Sequence, residues 1–188
     1  MAMERAVKTV AVVQGAPGAV IRDLFRAFVA RRQSVRIVGL LEETASNDDR
    51  TCSAGTLRSI ATGTGFPMFQ DLGPGSTACC IDPVGVALAG EAVRQEIGAG
   101  CDLVLLNRFG KLEAGREGLM PAFAAAVEAE VPLLTSVAPA YREAWERFAA
   151  PLHVTLPPEA DALEEWWRSV SAAAPAPLRS GLAASHSL

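Results

Sequence analysis

Short apolar runs rich in valine, leucine and isoleucine alternate along this chain with longer stretches whose apolar residues recur at helical spacing. Buried parallel strands form continuous apolar runs, whereas helices repeat their apolar residues every three to four positions. Such an alternation is typical of a parallel sheet covered by helices on both faces. The sequence therefore predicts an α/β fold with three layers.

The predicted strands and helices follow one another through short connections. Asp82 and Pro83 are typical of a helix start, because the carboxylate caps free N–H groups and proline fits the first turn. The other segments are assigned from their apolar patterns. Strands are predicted over 8–13, 35–41, 102–106, 131–137 and 153–157, and helices over 19–32, 83–98, 117–129, 139–149 and 158–170.

Three segments fall outside this alternation. Residues 42–55 are polar and rich in turn formers, which predicts a surface loop. Residues 56–71 form two short apolar runs about a Thr-Gly-Thr-Gly turn, which predicts a β-hairpin inserted beside the main sheet. The tail, 171–188, contains mainly Ala, Pro, Ser and Gly and is expected to be disordered. One folded domain over 1–170 is the resulting prediction.

Composition excludes several classes of partner. The chain has 188 residues, of which 50% are hydrophobic, and a net charge of -4, which argues against a nucleic-acid binder. No apolar run approaches the roughly 18–20 residues that cross a bilayer, and no signal peptide is recognised. The four cysteines are unevenly spaced, as expected in a reducing cytoplasm. A homodimer or a protein partner is left open.

The loop after the first strand is a place where phosphates often bind, because a helix N-terminus presents free N–H groups. Here the loop runs from Gly15 through Gly18 to Arg22. The phosphate-gripping pattern G-x-x-x-x-G-K-[ST] would need Gly, Lys and Ser or Thr at positions 20–22, where this chain has Val20, Ile21 and Arg22. Two interpretations follow: a tight glycine turn, or an anion site that relies on Arg22.

A resemblance to a known family lies in three segments: FQDLGPGSTACCIDP, DLVLLNRFGKLEAGREGL and LPPEADALEEWW. Together they resemble a bacterial family of domains of unknown function, regarded as NTPase-like and in part encoded beside molybdate-transport or nitrogen-fixation genes. The resemblance spans roughly residues 8–168. The chain is more distantly similar to P-loop nucleoside-triphosphatases with the motif D-E-x-G-K-x-E. This similarity implies a P-loop-NTPase-like fold.

Carried over to the polar turn 107–111, that motif places its metal-holding Asp on Asn107 and its catalytic Glu on Arg108. Gly110, Lys111 and Glu113 are retained. An arginine in place of an acid repels Mg²⁺ and attracts an anion. We assign no catalytic or metal-binding residue, and we expect no Mg²⁺-dependent hydrolysis.

These residues predict one ligand pocket, provided that the strand ending at Asn107 lies beside the first strand. Its ligand is expected to be a small anion: a nucleotide, phosphate or a molybdate-like oxyanion. The function expected is a non-hydrolytic accessory or sensor protein linked to molybdenum; an active NTPase or phosphotransferase and a protein-interaction scaffold are the alternatives. The predicted ligand-binding residues are Gly15, Gly18, Arg22, Gln70, Asp71, Asn107, Arg108 and Lys111.

Overall fold

The computed structural model describes residues 8–44, 55–69 and 81–173, and these ranges contain seven strands and six α-helices. The strands are β1 (Val10–Val13), β2 (Ile37–Thr44), β3 (Gly55–Ser59), β4 (Gly65–Pro67), β5 (Leu103–Phe109), β6 (Leu133–Val137) and β7 (His153–Leu156). The helices are α1 (Gly18–Ala30), α2 (Pro83–Gly98), α3 (Lys111–Ala114), α4 (Met120–Glu128), α5 (Arg142–Ala149) and α6 (Ala160–Ala173), with a 3-10 turn at Pro139–Tyr141 before α5.

The seven strands form one sheet in the order β4-β3-β2-β5-β6-β1-β7. Five neighbouring strands, in the order β2-β5-β6-β1-β7, are mutually parallel. Strands β3 and β4 form an antiparallel hairpin that pairs with β2. The predicted parallel sheet with an inserted hairpin is therefore confirmed.

Helices cover both faces of the sheet. Successive residues of a strand point to opposite faces, so an apolar strand such as β5 contributes side chains to a core on each face. Val104 and Leu106 of β5 face one core cluster, which α2, α4 and α5 complete. Leu103 and Leu105 face the other, which α1 and α6 complete. Buried apolar area on both sides of the sheet supplies the main stabilising force. The predicted three-layer α/β fold is confirmed.

The predicted start and end of α2 are also confirmed. The Asp82 carboxylate accepts hydrogen bonds from the N–H groups of Val84 and Gly85 at 3.0 and 3.1 Å. The helix ends at Gly98. A local capping pattern was enough to place this helix, since the cap satisfies donors that the helix itself leaves free.

Other predicted boundaries were wrong. Strand β2 continues through 42–44, which were predicted as loop, because these residues pair with β3. The predicted polar turn 107–111 is instead the end of β5 and the start of α3. Helix α6 extends to Ala173, three residues into the predicted tail. Residues 174–188 lie outside the described residues.

The predicted adjacency of β1 and β5 was wrong as well. Strand β6 lies between them and pairs with both, in parallel. Neighbouring strands are about 4.8 Å apart, so β1 and β5 are separated by roughly 10 Å. This separation spreads the predicted ligand-binding residues along the edge of the sheet.

Two further properties concern the Cys101 thiol and the length of the helices. Burial raises the pKa of the Cys101 thiol to about 11, so this cysteine stays neutral and behaves as a small apolar residue. None of the helices described is long and apolar enough to cross a membrane.

Candidate functional site

The candidate site lies at the carboxyl ends of the parallel strands, where polar residues follow the buried apolar runs. Ligands of open α/β sheets collect at this edge. Glu42 lies near the end of β2, Asn107 near the end of β5 and Ser136 near the end of β6. The sheet therefore brings together three polar side chains that are far apart in the sequence.

A β-bulge in β5 gives the site its local geometry. Leu106 pairs with Thr135 and Phe109 with Val137, so three steps along β5 correspond to two along β6. The extra residue places Phe109 on the same face as Leu106, where it packs in the same core cluster. Bulges redirect neighbouring side chains and are frequent beside functional sites. Here Asn107 is buried and Arg108 is exposed.

Glu42 is the centre of a hydrogen-bond network across this edge. One carboxylate oxygen lies 3.3 Å from Nη1 of Arg22, and the other accepts from Nδ2 of Asn107 at 2.9 Å. The side chains of Arg22 and Glu42 are only 9% and 12% exposed, so the ion pair is largely desolvated. Ser136 extends the network by donating to the backbone carbonyl of Asn107 at 2.8 Å. The charge of Glu42 is thus neutralised within the fold.

The loop between β1 and α1 is short and lacks the residues of the P-loop pattern. Residues 14–17 alone separate the strand from the helix, and Pro17 has no N–H to donate. The N–H groups of Val20 and Ile21 donate to the carbonyl of Pro17 at 3.0 and 3.2 Å. Pro158 lies close to Gly15, since a Cβ built on that glycine would be 3.5 Å from the proline Cδ. The geometry favours the tight glycine turn.

Glu113 is buried and holds the segment after β5 in place. Its carboxylate accepts from the N–H of Gly110 at 2.9 Å, at the start of α3, and from the N–H of Leu119 at 3.0 Å, just before α4. Such charge-assisted bonds satisfy N–H groups that a helix start leaves without partners. Glu113, which the motif resemblance identified only as a retained residue, therefore has a structural role.

Replacing Glu113 by alanine is expected to lower the free energy of unfolding by about 2–3 kcal/mol, because two N–H groups lose a charged acceptor. Urea denaturation of both proteins measures the difference. Glu117, an exposed carboxylate nearby, provides the control: Glu117→Ala should change stability by less than about 0.5 kcal/mol. Equal losses in the two variants would contradict the capping role of Glu113.

A cavity of about 70 Å³ lies beside this network, on the face of the sheet covered by α2. Glu42, Asn107 and Glu113 contribute polar groups to its wall. Arg108 and Lys111 also line it, and both are exposed. Neither of these two cationic side chains forms a hydrogen bond or an ion pair with another residue in the described ranges.

The described residues bring part of the predicted ligand site together. Asn107, Arg108 and Lys111 share the cavity wall, and Arg22 is joined to it through Glu42. Gly15 and Gly18 belong to the β1–α1 segment and are not among the described lining residues. Gln70 and Asp71 lie outside the described residues. The assignment of these eight residues to one ligand stays a prediction.

Sequence reasoning missed Glu42, which it placed in a surface loop. A signal was available in α1, where Arg22 occurs on the same side as Ile21 and Phe25, both buried. An arginine on a buried helix face requires a carboxylate partner, since an unpaired buried charge is very costly. That requirement predicts an acidic partner without identifying it.

Comparison with known proteins places the chain in a family. Residues 10–166 match the family described as "Protein of unknown function (DUF2478)". The "Molybdenum import ATP-binding protein ModC 2" of Bradyrhizobium diazoefficiens is 36% identical over 141 residues. This match covers 74% of the chain but only 16% of the length of that relative. No solved structure matches. The resemblance to a bacterial family of unknown function is confirmed, and the chain belongs to the DUF2478 family.

Proposed function

We propose that this protein is a non-hydrolytic accessory or sensor protein that binds a small anion at the carboxyl edge of its sheet. The observation that carries this proposal is the pair of exposed cations, Arg108 and Lys111, on the wall of one cavity. Both are without partners among the described residues, whereas the carboxylates beside them are engaged. An anion would supply the missing partner.

The arrangement of charges favours an anion over a metal ion. Glu42 is bound to Arg22 and Asn107, and Glu113 is bound to two backbone N–H groups. A divalent cation would have to displace these partners before either carboxylate could bind it. It would also approach Arg108 and Lys111, which repel it. An anion meets neither obstacle.

The same features argue against phosphoryl transfer. That reaction requires a positioned metal ion, an oriented water and neutralisation of the leaving oxygens. The β1–α1 loop has no lysine or hydroxyl at the required positions, and only residues 14–17 separate the strand from the helix. Asn107 replaces the acid that the related motif uses for the metal. We infer that the fold has retained a ligand edge without the hydrolytic groups.

A link to molybdenum is proposed from the relative alone. That protein is named for molybdenum import and ATP binding, and a segment of it is similar to most of this chain. Because the similar segment is 16% of the relative, the name does not say what that segment does. An accessory role beside an ATP-binding partner agrees with both facts. Molybdate therefore belongs among the anions to be tested.

A panel of anions measured by thermal unfolding tests the proposal. We expect at least one of phosphate, sulfate, molybdate, tungstate and ATP without Mg²⁺ to raise the melting temperature. At about 100 times its dissociation constant, a ligand adds roughly 2.7 kcal/mol of stability. Lys111→Gln and Arg108→Gln should each weaken binding about tenfold, which corresponds to ~1.4 kcal/mol.

The matched control is Arg168→Gln, since Arg168 is an exposed arginine on α6 that does not line the cavity. This variant should bind as the wild type does. Stabilisation that survives Lys111→Gln and Arg108→Gln would contradict the proposed site. Mg²⁺-dependent ATP or GTP turnover that Lys111→Ala abolishes would favour an active NTPase. No stabilisation by any anion would favour the scaffold.

A further inference from the structure

We infer that the preferred ligand of this site is organic: a single anionic group joined to a small apolar group. This inference rests on the proposed function and specifies the class of anion. It follows from the wall of the cavity, which combines polar residues with a larger number of apolar ones. A bare oxyanion would use only the polar residues.

The apolar wall is formed by residues that several elements hold in position. Leu57 comes from β3, Val86 from α2, Leu112 from α3 and Leu119 from the turn before α4. Met68 and Phe69, which follow β4, and Ile81, just before α2, complete the set. Most of these side chains belong to or pack against one core cluster, so the wall is continuous with the interior of the domain. An apolar group that enters the cavity would leave water for a preformed apolar surface.

Short backbone contacts fix this wall at the hairpin and α2. The N–H of Asp82 donates to the carbonyl of Met68 at 2.9 Å. A Cβ on Gly85 would lie 2.1 Å from the carbonyl of Pro67, so helix and hairpin are in close contact. The wall is therefore built before a ligand arrives, which limits the entropy that binding must overcome.

The size of the cavity limits the apolar group. At about 70 Å³ it is roughly half the size of the ~150 Å³ cavity that holds one benzene molecule. A short branched chain such as an isopropyl group can occupy much of that space, whereas an aromatic ring or a nucleoside cannot fit within it. Arg108 and Lys111 are exposed and lie on the same wall, so an attached phosphate or carboxylate can reach them while staying in contact with solvent.

The probes that test this inference are phosphate and isopropyl phosphate, which differ only by the apolar group. Isothermal titration with the full-length protein gives both dissociation constants. We expect isopropyl phosphate to bind at least about tenfold more tightly, because its apolar group is removed from water. Lys111→Gln should weaken both ligands by a similar factor, since both use the cation.

Met68→Gln tests the apolar wall, because glutamine has a similar size and adds polar atoms. We expect this variant to lose most of the preference for isopropyl phosphate and to bind phosphate as before. Met120→Gln is the control, since Met120 is a half-buried methionine of α4 that does not line this cavity. It should keep the preference.

The outcomes separate this inference from the proposed function. Equal affinities for phosphate and isopropyl phosphate would overturn the inference and leave anion binding intact. A preference that Met68→Gln does not change would place the apolar group elsewhere and also overturn it. If neither these probes nor any anion of the panel binds, the inference and the proposed function both fail.

Discussion

Replacing Gly39 by alanine is expected to lower the free energy of unfolding by more than about 4 kcal/mol, enough to remove much of the stability of a typical domain. Gly39 lies in β2 with φ at +128°, a conformation that residues with a side chain rarely adopt. A Cβ there would lie 1.9 Å from the carbonyl oxygen of Leu105 in β5. The two central strands would have to separate.

The effect can be measured as soluble yield at 25 °C and by urea denaturation of whatever protein folds. Gly98→Ala is the matched control, because a Cβ at the end of α2 meets no atom within 4 Å. It should be neutral or slightly stabilising, by up to about 1 kcal/mol. A Gly39→Ala protein as stable as Gly98→Ala would show that β2 and β5 are not packed as described.

The second large effect is expected for Glu42→Gln, which removes the charge opposite Arg22 and keeps the size of the side chain. A buried cation left without its partner costs about 3–5 kcal/mol. The double variant Arg22→Met with Glu42→Gln should recover most of this loss, since the new glutamine can still accept from Asn107. Chemical denaturation of the two single variants and the double variant gives the coupling energy.

The adjacent residue offers the control. Glu43 also binds an arginine, Arg58, at 2.7 Å, but both side chains of this pair are nearly half exposed, at 45% and 46%. Exposed ion pairs contribute about 0–1 kcal/mol, so Glu43→Gln should have little effect. Losses of similar size for Glu42→Gln and Glu43→Gln would contradict the view that Glu42 is held in a desolvated network.

Local patterns in the sequence predicted the elements whose causes are local. The cap at Asp82 and the proline after it define the start of α2, and a glycine-rich turn defines the hairpin. Alternating strands and helices were enough to predict three layers, because few other arrangements bury both faces of a sheet. The helix start and the hairpin depended on neighbouring residues, and the layers depended on the repeated alternation along the chain.

The order of the strands depended on contacts between distant segments and was not predicted. Whether β6 inserts between β1 and β5 is decided by how the connecting helices cross the sheet, and no local pattern encodes that choice. The bulge at Asn107 and Arg108 was missed for a related reason. An apolar run that ends in polar residues is equally typical of a turn, so only the packing of Phe109 with its neighbours distinguishes the two.

The structure divides the residues singled out in the sequence into two groups. Lys111 and Arg108 line a cavity, as charges without partners in the described ranges. Glu113 and Arg22 are instead used by the fold itself. A motif gives the position of a residue along a strand, whereas its role depends on neighbours that come from other strands.

The strands at the two ends of the sheet, within the described residues, have a consequence for contacts with other proteins. Strand β4 has three residues and ends in Pro67, which lacks an N–H, and β7 has four residues. Short edge strands offer few unpaired backbone groups to a foreign strand. Edges of this kind let the domain come close to another protein without joining its sheet.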